Sequence, residues 1–154
     1  MIERELQRNS TATPSVLNPV YKLMVILALL QNSSSNKGVK LSRIQVYLWG
    51  MSGEKNRQML ASYRINGCVG DLPITPDNQL RIIIADAEQK GLIMAEKDGV
   101  SYLRYKLTPQ GKNILRQLSV TSLYKEIENG LKEIGHLPDM KTDNINYVWA
   151  YDVL

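Results

Sequence analysis

Apolar residues recur along the chain at helical spacing, and polar stretches separate the segments that contain them. The first segment follows Asn18-Pro19, where Asn suits the N-cap and Pro suits the first helical position. From Tyr21 onward this segment is apolar on most faces, which is typical of a helix at the centre of a core. A polar, serine-rich loop at residues 32–38 ends the predicted helix.

The next part of the chain predicts a short strand and two further helices. Residues 39–41 suit a strand, and Ser42 suits the N-cap of the helix after it. Residues 55–63 predict a short helix with its apolar side chains on one face. Residues 64–73 contain two glycines and a proline, and we therefore expect a loop there.

A strong helix start follows at Thr75-Pro76. Thr suits the N-cap and Pro the first position, while Asp77 favours the positive end of the helix dipole. The apolar stripe after it predicts a helix over residues 76–90, and Gly91 suits its C-cap.

The chain after Gly91 predicts a β-hairpin and two more helices. Residues 92–97 and 101–107 alternate as strands do, and Asp98-Gly99 is a strong turn signal between them. Thr108-Pro109 then predicts the cap of a further helix. A last amphipathic helix is expected over residues 120–134.

This order of elements defines the predicted fold. The expected class is α+β and mostly helical: a winged helix-turn-helix with a two-stranded β wing and an added C-terminal helix. The predicted organisation is a flexible N-terminal arm at 1–17, a winged-helix domain at 18–118, and a C-terminal helix with an aromatic tail at 119–154. The alternative is a generic α+β domain that contains one hairpin.

Composition narrows the class of protein. The chain has 154 residues, of which 44% are hydrophobic, so it can bury a core. Its longest apolar run, Val20 to Leu30, is far shorter than the roughly 20 residues of a membrane span. Because it also lacks signal-peptide flanks and has a single cysteine, we expect a cytoplasmic protein without membrane contact.

The net charge of +4 is unevenly distributed. Residues 1–76 carry a net +5, residues 77–118 a net +2, and residues 119–154 a net −3. The basic balance favours a nucleic-acid partner in general, but little of it falls on the helix and wing that would contact DNA.

The residues that enzymes use are scarce. His136 and Cys68 are the only residues of their kinds, so they cannot form a metal cluster of His and Cys ligands. No glycine-rich loop followed by Lys and Ser or Thr is present to hold a phosphate. We therefore expect a protein that is not an enzyme and has no cofactor and no metal.

DNA-contacting candidates fall on the helix before the wing and on the wing itself. In a DNA-reading winged helix that helix enters the major groove, where Arg, Asn and Gln contact bases and cations contact phosphates. Asp77, Asp86 and Glu88 weaken the positive potential of this helix. The candidate DNA-binding residues are Asn78, Gln79, Arg81, Lys97, Arg104 and Lys106.

The end of the chain offers a different kind of site. Residues 146–154 alternate apolar and aromatic side chains, and aromatic residues dominate the energetics of protein interfaces. Tyr147, Trp149 and Tyr151 are therefore candidate partner-binding residues. The alternative is that this tail folds back on its own core.

Three features of the sequence resemble a known family. They are the helix start Asn18-Pro19-Val20-Tyr21-Lys22, the helix start Leu41-Ser42-Arg43-Ile44, and the long insert before the helix at 83–91. Over residues 17–120 the chain is similar to the middle component of bacterial ABC-three-component systems, which include Lamassu-type phage and plasmid defence. The resemblance implies a non-catalytic winged-helix subunit. Its implied partners are an SMC-like (ABC-type) ATPase and a nuclease-like effector, with DNA contacted directly or through the complex.

Two functions follow as hypotheses. The first is an interaction subunit of such an ATPase-based antiviral defence complex. The alternative is a DNA-binding transcription regulator of MarR- or PadR-like type, in which the helix at 120–134 forms a dimer interface. The near-neutral helix before the wing favours the first.

Overall fold

The structure is a computed structural model that describes residues 18–33, 38–67, 77–98, 102–139, 141–142 and 145. Several sequence predictions lie outside these residues. They are the N-terminal arm at 1–17, Cys68, the Thr75-Pro76 helix start, Gly99 of the turn, and the aromatic tail at 146–154.

Six helices of at least ten residues and three strands make up the described part of the chain. The helices are α1 Pro19–Gln31, α2 Leu41–Gly50, α3 Glu54–Asn66, α4 Leu80–Gln89, α5 Pro109–Leu118 and α6 Ser122–Ile134, and the strands are β1 Val39–Lys40, β2 Ile93–Asp98 and β3 Tyr102–Leu107. The class is thus α+β and mostly helical, as predicted. The order of elements is compatible with a winged helix.

Local capping chemistry sets several of these boundaries. Asn18 Oδ1 accepts a hydrogen bond from the Val20 amide at 2.8 Å, and Thr108 Oγ1 accepts one from the Gly111 amide at 2.9 Å. Gly91 follows the end of α4 with a φ of 75°, a backbone conformation that residues with a Cβ rarely adopt. The predicted caps at these three positions are confirmed.

Two predicted boundaries in the first half of the chain are wrong. The helix expected after a Ser42 N-cap begins two residues earlier, at Leu41 with Lys40 as its N-cap, because the extended β1 leads directly into it. The loop expected from residue 64 begins three residues later, because α3 continues to Asn66. Arg64 Nε donates a 2.9 Å hydrogen bond to the carbonyl of Ile134, and this tertiary contact holds the last turn of α3 against α6.

The start of α4 also differs from the prediction of residue 76. Asp77 Oδ1 accepts a hydrogen bond from the Gln79 amide at 2.8 Å, and the Asp77 carbonyl accepts one from the Leu80 amide at 3.3 Å. An Asp side chain that bonds the backbone two residues ahead stabilises a turn in place of a helix. The α-helix therefore begins at Leu80, after this turn.

The sheet is antiparallel with the order β1-β3-β2, so β1 adds a third strand to the predicted two-stranded wing. Val39 pairs with Tyr105, and Ile93 pairs with Leu107; all four are buried and form the core face. Leu103 shares this face by alternation, but 47% of it is exposed. The core face therefore continues past the helices that cover it.

Helix α1 lies at the centre of the core. All ten residues from 21 to 30 are buried, and α1 contacts α2, α4, α5, α6 and β3. The segment after α6 also packs on this core, because Leu137, Thr142 and Ile145 are each at most 3% exposed.

Candidate docking surface

Helix α4 presents one buried stripe and one open face. Leu80, Ile83, Ile84 and Ala87 are buried against the core. The opposite side, which we call the α4 face, consists of the exposed residues Asn78, Arg81, Ile82, Ala85 and Gln89. Ile82 is 71% exposed at the middle of this face.

The charges on α4 cancel. The exposed cations Arg81 and Lys90 are matched by the exposed anions Asp86 and Glu88. Lys90 Nζ lies 2.9 Å from Asp86 Oδ2, one helical turn away. The helix therefore offers little net positive potential to a phosphate backbone.

The turn before α4 is tied to the core. Lys22 of α1 has a buried ammonium group that lies 2.6 Å from Asp77 Oδ2 and donates a 2.9 Å hydrogen bond to Gln79 Oε1. Gln79 was predicted to read bases, but its side-chain oxygen is directed to α1. The predicted Asn78 and Arg81 are exposed beside it.

The charges of two α4 side chains act on the hydroxyl group of Tyr105 in β3. Burial raises the pKa of the Tyr105 hydroxyl above its ordinary value. Glu88 raises this pKa further, and Arg81 lowers it. A tyrosine is neutral at pH 7 in any case, and the raised pKa extends this neutral state further into the alkaline range, so Tyr105 adds no charge beside α4.

Both predicted phosphate ligands on the outer face of the sheet have carboxylate partners. Arg104 lies 3.3 Å from Asp139 Oδ2 and donates a 3.2 Å hydrogen bond to the Gly38 carbonyl, and its side chain is only 13% exposed. Lys106 Nζ lies 2.9 Å from Glu96 Oε2 on the neighbouring strand.

The register separates the predicted wing residues. Arg104 pairs with Glu96, so both lie on the outer face of the sheet together with Lys106. Lys97 pairs with Leu103 on the opposite face, at the exposed end of the core side. The structure therefore places Lys97 apart from the other two cations.

The predicted tail residues Tyr147, Trp149 and Tyr151 lie outside the described residues. Within the described ranges, no group of three or more His, Cys, Asp or Glu side chains is arranged to hold a metal ion. No described helix is long and apolar enough to cross a membrane.

The sequence analysis missed one cluster entirely. Arg43 of α2 donates hydrogen bonds to the Leu137 carbonyl at 2.7 Å and to His136 Nδ1 at 2.9 Å. These partners follow α6, more than 90 residues further along the chain. No local signal reveals such a contact, which only the tertiary fold creates.

No family model, curated protein or solved structure matches the chain. The resemblance to the middle component of ABC-three-component systems therefore stays a prediction from the sequence motifs.

Proposed function

We propose that this chain is a non-catalytic winged-helix subunit that docks through the α4 face onto an SMC-like ATPase. The ATPase would work with a nuclease-like effector in a bacterial defence complex against phages and plasmids. The partner classes come from the sequence resemblance, and the docking surface comes from the geometry described above.

The observation that carries this proposal is the character of the α4 face. Ile82 is 71% exposed and Ala85 lies one turn from it, while the charges along α4 cancel. A DNA-reading helix needs cations for phosphate and polar groups for bases. An aliphatic centre edged by polar side chains is instead the usual anatomy of a protein interface.

The same face specifies the chemistry of its partner. Asn78 and Gln89 supply amide groups and Arg81 supplies a single cation around the aliphatic centre. We therefore expect the matching surface on the ATPase to be a shallow apolar patch with hydrogen-bonding groups and one carboxylate at its edge.

The test is co-expression of the full chain with an SMC-like ATPase from the same genome, followed by size-exclusion chromatography and an affinity measurement. Ile82→Ser should weaken the complex at least about tenfold, as expected for an aliphatic anchor at the centre of an interface. Val120→Ser is the matched control, because Val120 is an aliphatic residue that is 79% exposed outside α4.

Three results would count against the proposal. The first is a complex of unchanged affinity with Ile82→Ser, which would place the interface elsewhere. The second is an equal loss of affinity with Val120→Ser, which would indicate a general effect of removing exposed apolar surface. The third is a chain that forms a stable homodimer and ignores the ATPase.

A DNA-binding regulator is the second candidate, and one observation favours it. Arg81 and Lys97 are exposed and make no ion pair with another residue of the described ranges. With a pI near 9.2, such cations could contact phosphate. This candidate requires an affinity for duplex DNA that falls steeply with salt.

A further inference from the structure

A pocket of about 400 Å³ opens where the end of α1, the start of α2 and the end of α6 meet. Leu29 and Leu131 supply apolar walls, and the Tyr47 ring supplies an aromatic one. The polar lining includes Arg43, Lys132 and His136. This volume lies within the range of small-molecule sites, which combine apolar walls with a few polar groups.

The lining of this α1–α2–α6 pocket is positively charged. Arg43 and Lys132 both line it, and the described lining contains no Asp or Glu. Two acids outside the described lining lie near these cations: Glu128 Oε1 is 3.6 Å from Lys132 Nζ, and Asp139 Oδ1 is 3.7 Å from Arg43 Nη1. Because the Lys132 side chain is 73% exposed, its weak pairing with Glu128 leaves it able to turn toward a ligand.

Arg43 is held rigidly at the pocket. Its Nη1 donates to the Leu137 carbonyl at 2.7 Å, and its Nη2 donates to His136 Nδ1 at 2.9 Å. The centre of the guanidinium lies 5.2 Å from the centroid of the Tyr47 ring. The buried Nε has no hydrogen-bond partner in the described part of the chain. These contacts make Arg43 a fixed cation in the lining of the pocket, which favours an anionic ligand.

We propose that the α1–α2–α6 pocket binds a small organic carboxylate. The carboxylate group would pair with Arg43 and Lys132, and the apolar or aromatic body would lie against Leu29, Leu131 and Tyr47. Inorganic phosphate is disfavoured because it has no apolar group to contact the apolar walls. An uncharged ligand is disfavoured because it leaves the two cations without a partner. This site is separate from the α4 face and does not depend on the docking function.

The test is NMR titration of the ¹⁵N-labelled full chain with benzoate, indole-3-acetate and decanoate, each compared with its uncharged amide. At least one carboxylate should shift the amide signals of Lys132, Gly135 and His136. Its amide should bind at least about tenfold more weakly, because the paired charge is lost. No response to any carboxylate, or equal binding of the amide, would overturn the proposal. Inorganic phosphate that binds as tightly as the best carboxylate would also overturn it.

Two variants locate the site without disturbing the Arg43 contacts. Lys132→Gln removes one cation from the pocket, and Asn32→Asp adds an anion to its lining. Each should weaken carboxylate binding by about threefold to tenfold. The matched controls are Lys125→Gln, two turns earlier on α6, and Asn113→Asp on α5; both residues are exposed and should leave binding unchanged. Wild-type affinity in both pocket variants would contradict the assignment.

Discussion

Helices α1 and α4 pack in the same core but differ in how much of their surface the core uses. Residues 21–30 of α1 are buried on every side, since α1 contacts four helices and β3. On α4, only one stripe is buried, and Ile82 is 71% exposed on the opposite side. The core therefore encloses α1 completely, whereas the described residues leave the α4 face uncovered.

The two helices are nevertheless coupled. Lys22 is the only charged residue of α1, and its ammonium bonds both Asp77 and Gln79 at the turn that leads into α4. The central helix therefore fixes the start of the peripheral one. Three sets of substitutions and one pH dependence test these contacts and those of the neighbouring α2, in order of decreasing expected effect.

Leu27→Ala should lower the free energy of unfolding by about 3 kcal/mol, because Leu27 is 0% exposed and its truncation leaves a cavity in the core. Urea denaturation measures this change. Ile82→Ala on α4 is the matched control, and it should change stability by less than about 0.5 kcal/mol. Equal losses from the two substitutions would remove the contrast between the helices.

Asp77→Ala should lower the free energy of unfolding by about 2 kcal/mol, because it leaves the ammonium of Lys22 without its carboxylate. Lys22→Met should cost less, since it removes the charge and keeps an apolar chain in place. Asp77→Asn removes the charge but keeps a side-chain oxygen that can accept from the Gln79 amide. It therefore distinguishes the contribution of the ion pair from that of the turn. Thermal denaturation that ranks Lys22→Met as the most damaging variant would contradict this explanation.

Tyr47→Phe should lower stability by about 1 kcal/mol, because it removes two hydrogen bonds. The Tyr47 hydroxyl donates to the Gly135 carbonyl at 2.7 Å and accepts from the Leu137 amide at 2.8 Å. Hydrogen exchange should then quicken at the Leu137 amide more than at the amides of α1. Unchanged protection at Leu137 would show that the hydroxyl does not hold this segment.

Stability should decline at alkaline pH. Burial raises the pKa of Tyr47 above its ordinary value of 10.0, and the Arg43 charge only partly opposes this. Above pH 10.0 the unfolded chain loses this proton while the folded chain keeps it, so the free energy of unfolding falls as pH rises. Below that pH the contribution is complete. Tyr47→Phe should show a shallower decline in denaturation curves above pH 10.0, and an identical slope would contradict the assignment.

Helix boundaries with a strong local signal could be predicted from the sequence, two weaker local boundaries were misplaced, and contacts between distant residues could not be predicted. Thr108 and Gly91 are a cap and a terminator whose function depends only on neighbouring residues. The end of α3 was placed three residues too early, although Gly67 ends this helix locally, with a φ of 75° and an amide that donates to the Tyr63 carbonyl. The start of α4 was misplaced because the Asp77 side chain forms a turn with Gln79 before the helix begins.

The candidate sites also depend on contacts between residues that are far apart in the sequence. Gln79 and Arg104 look like free polar side chains in the sequence, but Lys22 and Asp139 bind them from 57 and 35 residues away. The α1–α2–α6 pocket is assembled from three helices, so its residues have no common spacing that periodicity could reveal. The alternation of residues 101–107 did predict a strand, and Tyr105 and Leu107 are buried on one face of it.

The most direct test of the central claim is fluorescence anisotropy of a labelled duplex DNA titrated with the full chain at several salt concentrations. If the α4 face and the neighbouring strands lack the positive potential to hold a phosphate backbone, no saturable binding should appear even at low salt. Tight binding that falls steeply with salt and is lost in Arg81→Gln would contradict the claim.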